Sequence, residues 1–283
     1  MLALIFNKTI LRYVFIVVCL YLSQACLRPP AEQTKAHSIF NKNLTDTAVY
    51  QQKTVFEASP YLTENEGQLD TSFVKITYPE FKDSILNGIV TDAMLLEGET
   101  NIQHYVNNFI ESYGNFIEEN DIQYPIAWSK ETNVDVQVLT PEIISIRNRT
   151  YEFTGGAHGN YFELWSNYSL QDYKKLDLNR FISEDKIKDF TKIAEKIFRN
   201  QEGLQDTSNL ERDYFFENGK FALAANYGFL KKGIAFFYNT YEIKPYSAGP
   251  TQLIVPYEQV EHILTNTGKQ YVKHIKDFYQ TIN

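Results

Sequence analysis

The period of the apolar residues changes twice along this chain, and those changes constrain the fold more than any other feature. Phe73-Val74-Lys75-Ile76-Thr77-Tyr78 alternates with period two, which predicts a strand that ends at Pro79. From Lys82 to Leu96, Ile85, Leu86, Ile89, Val90, Ala93 and Met94 recur at helical spacing. Ile102, Tyr105, Val106, Phe109, Ile110, Tyr113, Phe116 and Ile117 repeat that spacing in the next segment, so both segments are expected to be helices with one core-facing stripe.

Beyond Pro125 the alternation returns in Val134, Val136 and Val138, in Ile144 and Ile146, and in the aromatic run Asn160 to Leu170. One amphipathic helix interrupts the strands. Ser183 is its expected N-cap, Glu184 and Asp185 lie in its first turn, and Ile187, Phe190, Ile193, Ala194, Ile197 and Phe198 share a face. Further strands are expected at Phe221 to Asn226, Gly233 to Tyr238 and Thr251 to Val255, then helices near Glu258 to Leu264 and Lys269 to Tyr279. Strand runs punctuated by helices, without regular βαβ alternation, predict an α+β fold, an antiparallel sheet with helices packed on one face. The 20 Tyr and 20 Phe suit such a sheet, because amphipathic rings pack on a half-wet pleated surface.

Ahead of this pattern, Lys8 and Arg12 precede an apolar run from Tyr13 to Leu22, followed by Ser23-Gln24-Ala25-Cys26. That order is a signal peptide's, over residues 1–25, and the run is short for a membrane span of about 20 residues. Leu22-Ser23-Gln24-Ala25-Cys26 resembles a bacterial lipobox, with Gln24 an imperfect fit. Cys26 is then the expected lipidation site, and its two acyl chains would anchor the protein stably in a membrane. The alternative is an ordinary secretory peptide beside an incidental thiol. Residues 26–55 carry little periodicity and read as a lipidated tether, with at most a stray strand around Thr54 to Ala58.

After such cleavage Cys26 is the single cysteine of the remaining residues, so packing alone would hold the fold. Without Lys8 and Arg12 there are 25 basic and 35 acidic residues, a net charge of −10 with neutral histidines. That balance argues against nucleic acid and suits a cationic partner.

The most distinctive stretch is Tyr151-Glu152-Phe153-Thr154-Gly155-Gly156-Ala157-His158-Gly159. A second runs from Gly233-Ile234-Ala235-Phe236-Phe237-Tyr238-Asn239 through Tyr241-Glu242-Ile243, Pro245-Tyr246-Ser247 and Gly249 to Pro256-Tyr257. Together they resemble two domain-of-unknown-function families, 4163 over residues 56–157 and 3298 over residues 158–283, the latter with C-terminal helices. One departure is the hairpin after Tyr168, where this chain has Ser169 and Tyr173 in place of the families' Asp and turn Gly. The resemblance implies two precedents, the lysozyme-binding ectodomain of an anti-sigma factor of the RsiV type and an accessory domain of a PdaC-type peptidoglycan deacetylase. The paired-Asp and HxxxH metal motifs of the deacetylase domain are absent from this sequence.

Three glycines within five residues permit positive φ and close backbone approach, so Gly155, Gly156 and Gly159 form either a tight structural turn or a backbone cradle for a ligand. His158 in that turn is expected to staple the loop rather than catalyse. Glu242, near Tyr241, Tyr246 and Gly249, is the one carboxylate that could join His158 in acid/base work, and its other reading is a loop tie. His37, His104, His158, His262 and His274 have no metal-binding spacing, and neither a GxSxG elbow nor a phosphate-binding loop occurs. No cofactor and no metal are expected. The expectation is therefore a lipid-anchored protein of the cell envelope, outside the cytoplasm, with a non-catalytic binding domain for a glycan or an envelope protein such as a cationic member of the lysozyme class. The alternative is an enzyme acting on cell-wall polymer.

Overall fold

The computed structural model describes residues 49–281 apart from 66, 96, 97, 123 and 124. The expected signal peptide, Cys26 and most of the tether lie outside the described residues.

A long hairpin of β1 (Tyr50–Asn65) and β2 (Gln68–Phe81) begins the fold. The chain then passes through α1 (Ser84–Met94) and α2 (Ile102–Asn120) before β3 (Ser129–Leu139), which lies parallel to β2, with Phe73 opposite Ser129 and Thr77 opposite Asn133. The strands β4 (Ile143–Phe153) and β5 (Asn160–Ser169) continue antiparallel, so the sheet order is β1-β2-β3-β4-β5. The fold is α+β as expected, and its first sheet is antiparallel except for that one pair.

Local chemistry sets the ends of these helices. Asp83 caps α1 by accepting from the amides of Ile85 and Leu86 at 2.7 and 3.1 Å, and Asn101 caps α2 through the His104 amide at 2.9 Å. Asp121 closes α2 in the left-handed conformation. The apolar stripes of both helices cover one face of the sheet. Leu86, Val90 and Val106 pack on Val74, Ile76, Val134, Ile144 and Ile146, all at or near zero exposure. On the other face, β2 through β5 present Lys75, Glu131, Arg147, Tyr161 and the residues in register with them.

Two strand boundaries differ from expectation. The strand expected around Thr54 to Ala58 spans Tyr50–Asn65 and so takes in the last residues of the expected tether. It is an edge strand with both sides largely exposed, so it has no alternation to betray it, and its Pro60 sits where the register shifts between Ala58 and Leu62. The next strand continues through Pro79, which pairs with Gln52, because β3 has left β2 after Thr77 and no ladder partner needs the missing N–H.

The rest of the chain adds α3 (Ile187–Gln201), a three-stranded antiparallel sheet of β6 (Tyr227–Phe229), β7 (Gly233–Tyr238) and β8 (Thr251–Pro256), and then α4 (Tyr257–Val260) and α5 (Asn266–Thr281). Their core is aromatic. Phe198 has Tyr214, Phe216 and Phe221 within 5.2 to 5.6 Å between ring centres, and each such pair contributes about 0.5–1.5 kcal/mol beyond its buried area. Ser183 does not cap a helix beginning at Glu184. Its carbonyl accepts from the amides of Lys186 and Ile187 across a turn, and the helix starts at Ile187. Phe221 to Asn226 is likewise no strand. Phe221 and Ala224 are buried against the aromatic core while the Ala222 carbonyl takes the Tyr238 hydroxyl, so the alternation there records packing rather than a ladder.

The two sheets meet at the outer edge of β5 through side chains that replace a backbone partner. The Asn226 Oδ1 accepts the Trp165 amide at 2.8 Å and its Nδ2 donates to the Glu163 carbonyl at 2.7 Å. Asn239 does the same one step along, accepting the Glu163 amide at 2.7 Å and donating to the Glu163 carbonyl at 3.1 Å. Lower down, Asn167 donates to the Tyr227 carbonyl and Ser145 accepts the Phe229 amide. Gly228 lets the sheets close, since a Cβ there would lie 1.8 Å from the Trp165 ring.

Candidate functional site

The glycine-rich stretch is the turn between β4 and β5. Gly155 and Gly156 have φ of +96° and +92° with open space around both, so the backbone conformation, not crowding, demands glycine. Gly159 is different. It is buried, and a Cβ there would meet the Tyr151 hydroxyl at 2.3 Å.

Far along the chain, Tyr246 opens a short 3₁₀ turn that ends at Gly249, φ +67°. Its ring stacks on His158 with centres 3.8 Å apart and planes 20° apart, and its hydroxyl donates to the Gly159 carbonyl at 2.9 Å. The His158 Nδ1 lies 3.0 Å from the same carbonyl. Tyr241, in the left-handed conformation and more than half exposed, tilts against Tyr246 at 5.6 Å. The fold therefore joins His158 and Gly159 to Tyr246, with Gly155 and Gly156 in the turn before the first pair and Tyr241 and Gly249 flanking the tyrosine in sequence. Glu242 is exposed, its carboxylate accepts from the Asn239 amide group at 3.5 Å, and no hydrogen bond joins it to His158. Among the described residues no group of three or more His, Cys, Asp or Glu could hold a metal ion.

The hairpin after Tyr168 resolves the departure noted in the sequence. Tyr173 takes φ +57° where a glycine would be at ease, the Ser169 amide donates to the Lys174 carbonyl, and the ring is partly buried against the first core. Nearby, Tyr168 donates to Asp92 at 2.5 Å, and Lys175 lies 3.2 Å from the same carboxylate. Partial burial raises the Asp92 pKa, but Tyr168 and Lys175 outweigh it and hold the carboxyl below its ordinary value.

The residues that sequence reasoning missed lie on the sheet face that α1 and α2 leave open. Strand registers align Phe56, Lys75, Glu131, Tyr151 and Tyr161 in one row across five strands, and Thr54, Thr77, Asn133, Arg149 and Glu163 in the next. Charges on this face pair internally. Asp135 takes Arg147 and Arg149 at 3.2 and 2.6 Å, and Lys75 lies 3.9 Å from Glu131. Glu163, 3% exposed, accepts the Trp165 indole N–H at 2.7 Å and the Tyr161 hydroxyl at 3.2 Å. Burial, then the neighbouring Glu163, raises the Tyr161 pKa. The alternation of Arg147 and Arg149 with Ile144, Ile146 and Asn148 marks this second face, although it was read only for the core side.

Toward the tip of the β1–β2 hairpin the face turns apolar. Phe56, Leu62, Leu69 and Ile126 are 58–73% exposed and Tyr151 42%. Phe56 stacks on Phe73 at 5.7 Å. Where the hairpin outruns β3, a cavity of about 420 Å³ is lined by Phe73, Ile126, Trp128 and Phe153, with Glu64 and Asp70 among its charged residues. No described helix is long and apolar enough to cross a membrane.

Comparison with known proteins gives the family context. Residues 65–161 match the family model described as Deacetylase PdaC, and residues 179–258 match the model described as a protein of unknown function, DUF3298. A DUF3298 family crystal structure from Bacteroides fragilis superposes with a TM-score of 0.63 at 24% identity, covering 82% of this chain and 99% of that one. Another, from Pseudomonas aeruginosa PAO1, gives 0.61 at 21%, covering 77% and 95%. At these identities the two structures speak for the fold. No curated protein matches the chain.

Proposed function

We infer that this chain, which carries a PdaC-type domain followed by a DUF3298 domain, is a non-catalytic binding module of the cell envelope, lipid-anchored at Cys26, that holds an envelope protein on its open sheet face. The observation that carries this reading is the set of exposed apolar side chains Phe56, Leu62, Leu69, Ile126 and Tyr151, on a face where Glu131 and Asp135 are paired with Lys75, Arg147 and Arg149. Large apolar side chains left exposed together on one side of a domain are a common mark of partner sites. The alternative, an enzyme acting on cell-wall polymer, has weaker support. His158 is engaged with Tyr246 and Gly159, and Glu242 with Asn239, so neither is placed as the other's proton partner.

The family precedent of a lysozyme-binding ectodomain and the net charge of −8 favour a cationic protein as ligand. Titration calorimetry of the chain against lysozyme, at low and at near-physiological ionic strength, tests this. Saturable binding that persists in both, together with no release of sugar or acetate from purified cell wall, is the expected result. Attraction that vanishes where the Debye length is about 8 Å rejects a docked interface.

A further inference from the structure

We propose that the cavity at the end of the β1–β2 hairpin takes a single large apolar or aromatic side chain from a protein segment that carries lysine or arginine on either side of it. This rests on the binding-module reading and names the ligand chemistry of its site.

Three observations lead there. The volume, about 420 Å³, stands at the small end of the range for ligand pockets, as an anchor side chain requires and a cofactor does not. Phe73, Ile126, Trp128 and Phe153 give it an apolar wall, Thr63, Thr71 and Ser129 add hydroxyl groups, and exposed Leu62 and Leu69 lie on the hairpin beside it. Protein interfaces concentrate their energy in such desolvated anchor pockets. The third observation is charge. Elsewhere on the open face Asp135 is paired with two arginines and Glu131 with Lys75, whereas among the described residues neither Glu64 nor Asp70 at the cavity has a salt-bridge partner. Among the described residues the Asp70 carboxylate accepts the Thr71 amide alone. Two exposed acids without cations, at the mouth of a cavity with an apolar wall, are complementary to a basic segment with an apolar anchor.

A second copy of the chain fits less well, because a net charge of −8 and these same acids would be brought together. A glycan would use rings in place of Leu62, Leu69 and Ile126, and gains little from two carboxylates with nothing to pair them.

The test is fluorescence anisotropy of the full chain with a labelled peptide, Lys-Lys-Trp-Lys-Lys, and with two controls in which the Trp becomes Ser or the lysines become Glu. The Trp peptide is expected to bind at least about tenfold more tightly than either control, with Ile126→Asp and the double change Glu64→Lys, Asp70→Lys each removing that preference. All three positions are exposed, and thermal melts verify that the variants fold. Equal binding of the Ser peptide would mean charge alone, and equal binding of the Glu peptide would mean apolar contact alone. Either overturns the proposal, as does an Ile126→Asp variant that binds like the parent. Binding of tetra-N-acetylchitotetraose, or concentration-dependent dimerisation, that Ile126→Asp abolishes would overturn it in favour of a glycan or a second copy. Lysozyme binding that survives both variants removes this pocket while leaving the binding-module reading intact. Absence of lysozyme binding with the peptide preference retained does the reverse, limiting only the choice of protein.

Discussion

Replacing Asn226 and Asn239 by alanine, singly and together, measures how the two sheets are held. Asn226→Ala leaves the Trp165 N–H without its acceptor at 2.8 Å, while the Glu163 carbonyl keeps Asn239 as donor at 3.1 Å. Orphaning one largely buried amide costs about 1–3 kcal/mol, so about 2 kcal/mol is expected. Asn239→Ala orphans the Glu163 N–H at similar cost, and there the same carbonyl keeps Asn226 at 2.7 Å. Only the double variant strips the Glu163 carbonyl of both donors. Its destabilisation should therefore exceed the sum of the singles by about 1–2 kcal/mol. Asn226→Asp, which retains an acceptor for Trp165 but presents a carboxylate to the Glu163 carbonyl, should stay as damaging as alanine. Urea unfolding followed by tryptophan fluorescence reads the cycle, since Trp165 lies at the junction, and each single variant should melt about 4–8 °C lower in a domain of this size. A double variant equal to the sum of the singles within about 0.5 kcal/mol would refute the shared-carbonyl reasoning.

The glycines divide by cause. Gly228→Ala, with its Cβ 1.8 Å from the Trp165 ring, should cost about 3 kcal/mol or more, whereas Gly156→Ala, with nothing within 4 Å and φ +92°, should cost about 1 kcal/mol; similar melting temperatures for the two would contradict this. Burial raises the pKa of Tyr168, Tyr227, Tyr238 and Tyr257 above the ordinary tyrosine value, so their stabilisation is complete below pH of about 10 and declines as pH rises beyond it. Phenolate absorbance should accordingly show a late step coincident with loss of circular dichroism, and full ionisation with native dichroism retained would count against it. Cys26→Ser should release the protein from the membrane fraction, and unchanged fractionation would remove the lipid anchor.

What the sequence revealed follows from where burial is one-sided. The two helical stripes are placed to within a few residues because each buries a periodic face, while Gly233–Tyr238, expected and observed with the same bounds, is buried on both faces and shows itself as a short apolar, aromatic run. The first strand escaped because an edge strand open on both sides is held by backbone bonds, which leave no pattern in side chains. The parallel pairing of β2 with β3 could not be read either, since a strand's periodicity is the same whichever way its neighbour runs. Of the site, the two family motifs were legible in the sequence, but their joint, the His158–Tyr246 stack, depends on a separation of nearly ninety residues that only the fold closes. The open face was missed for a further reason. Its apolar members, Phe56, Leu62, Leu69 and Ile126, come from segments with no amphipathic period, the first three in the hairpin and the last in the segment that leads into β3.

The asparagine clasp on β5 also bears on how the chain survives its own synthesis. When Ser169 has been made, the five-stranded sheet has all its strands, but the outer rim of β5 carries bare amides and carbonyls flanked by Tyr161 and Trp165. A nascent strand in that condition is a template for intermolecular pairing; Lys174 and Leu176 soon bond its last residues through the backbone, but the stretch from Glu163 to Trp165 is met only by side chains. Protection of that stretch comes from two residues far downstream, Asn226 and then Asn239, so a truncated product ending between them is expected to be half-guarded and more prone to aggregate. The vulnerable interval in this protein's synthesis is thus set by chain position and lasts until residue 239 has emerged.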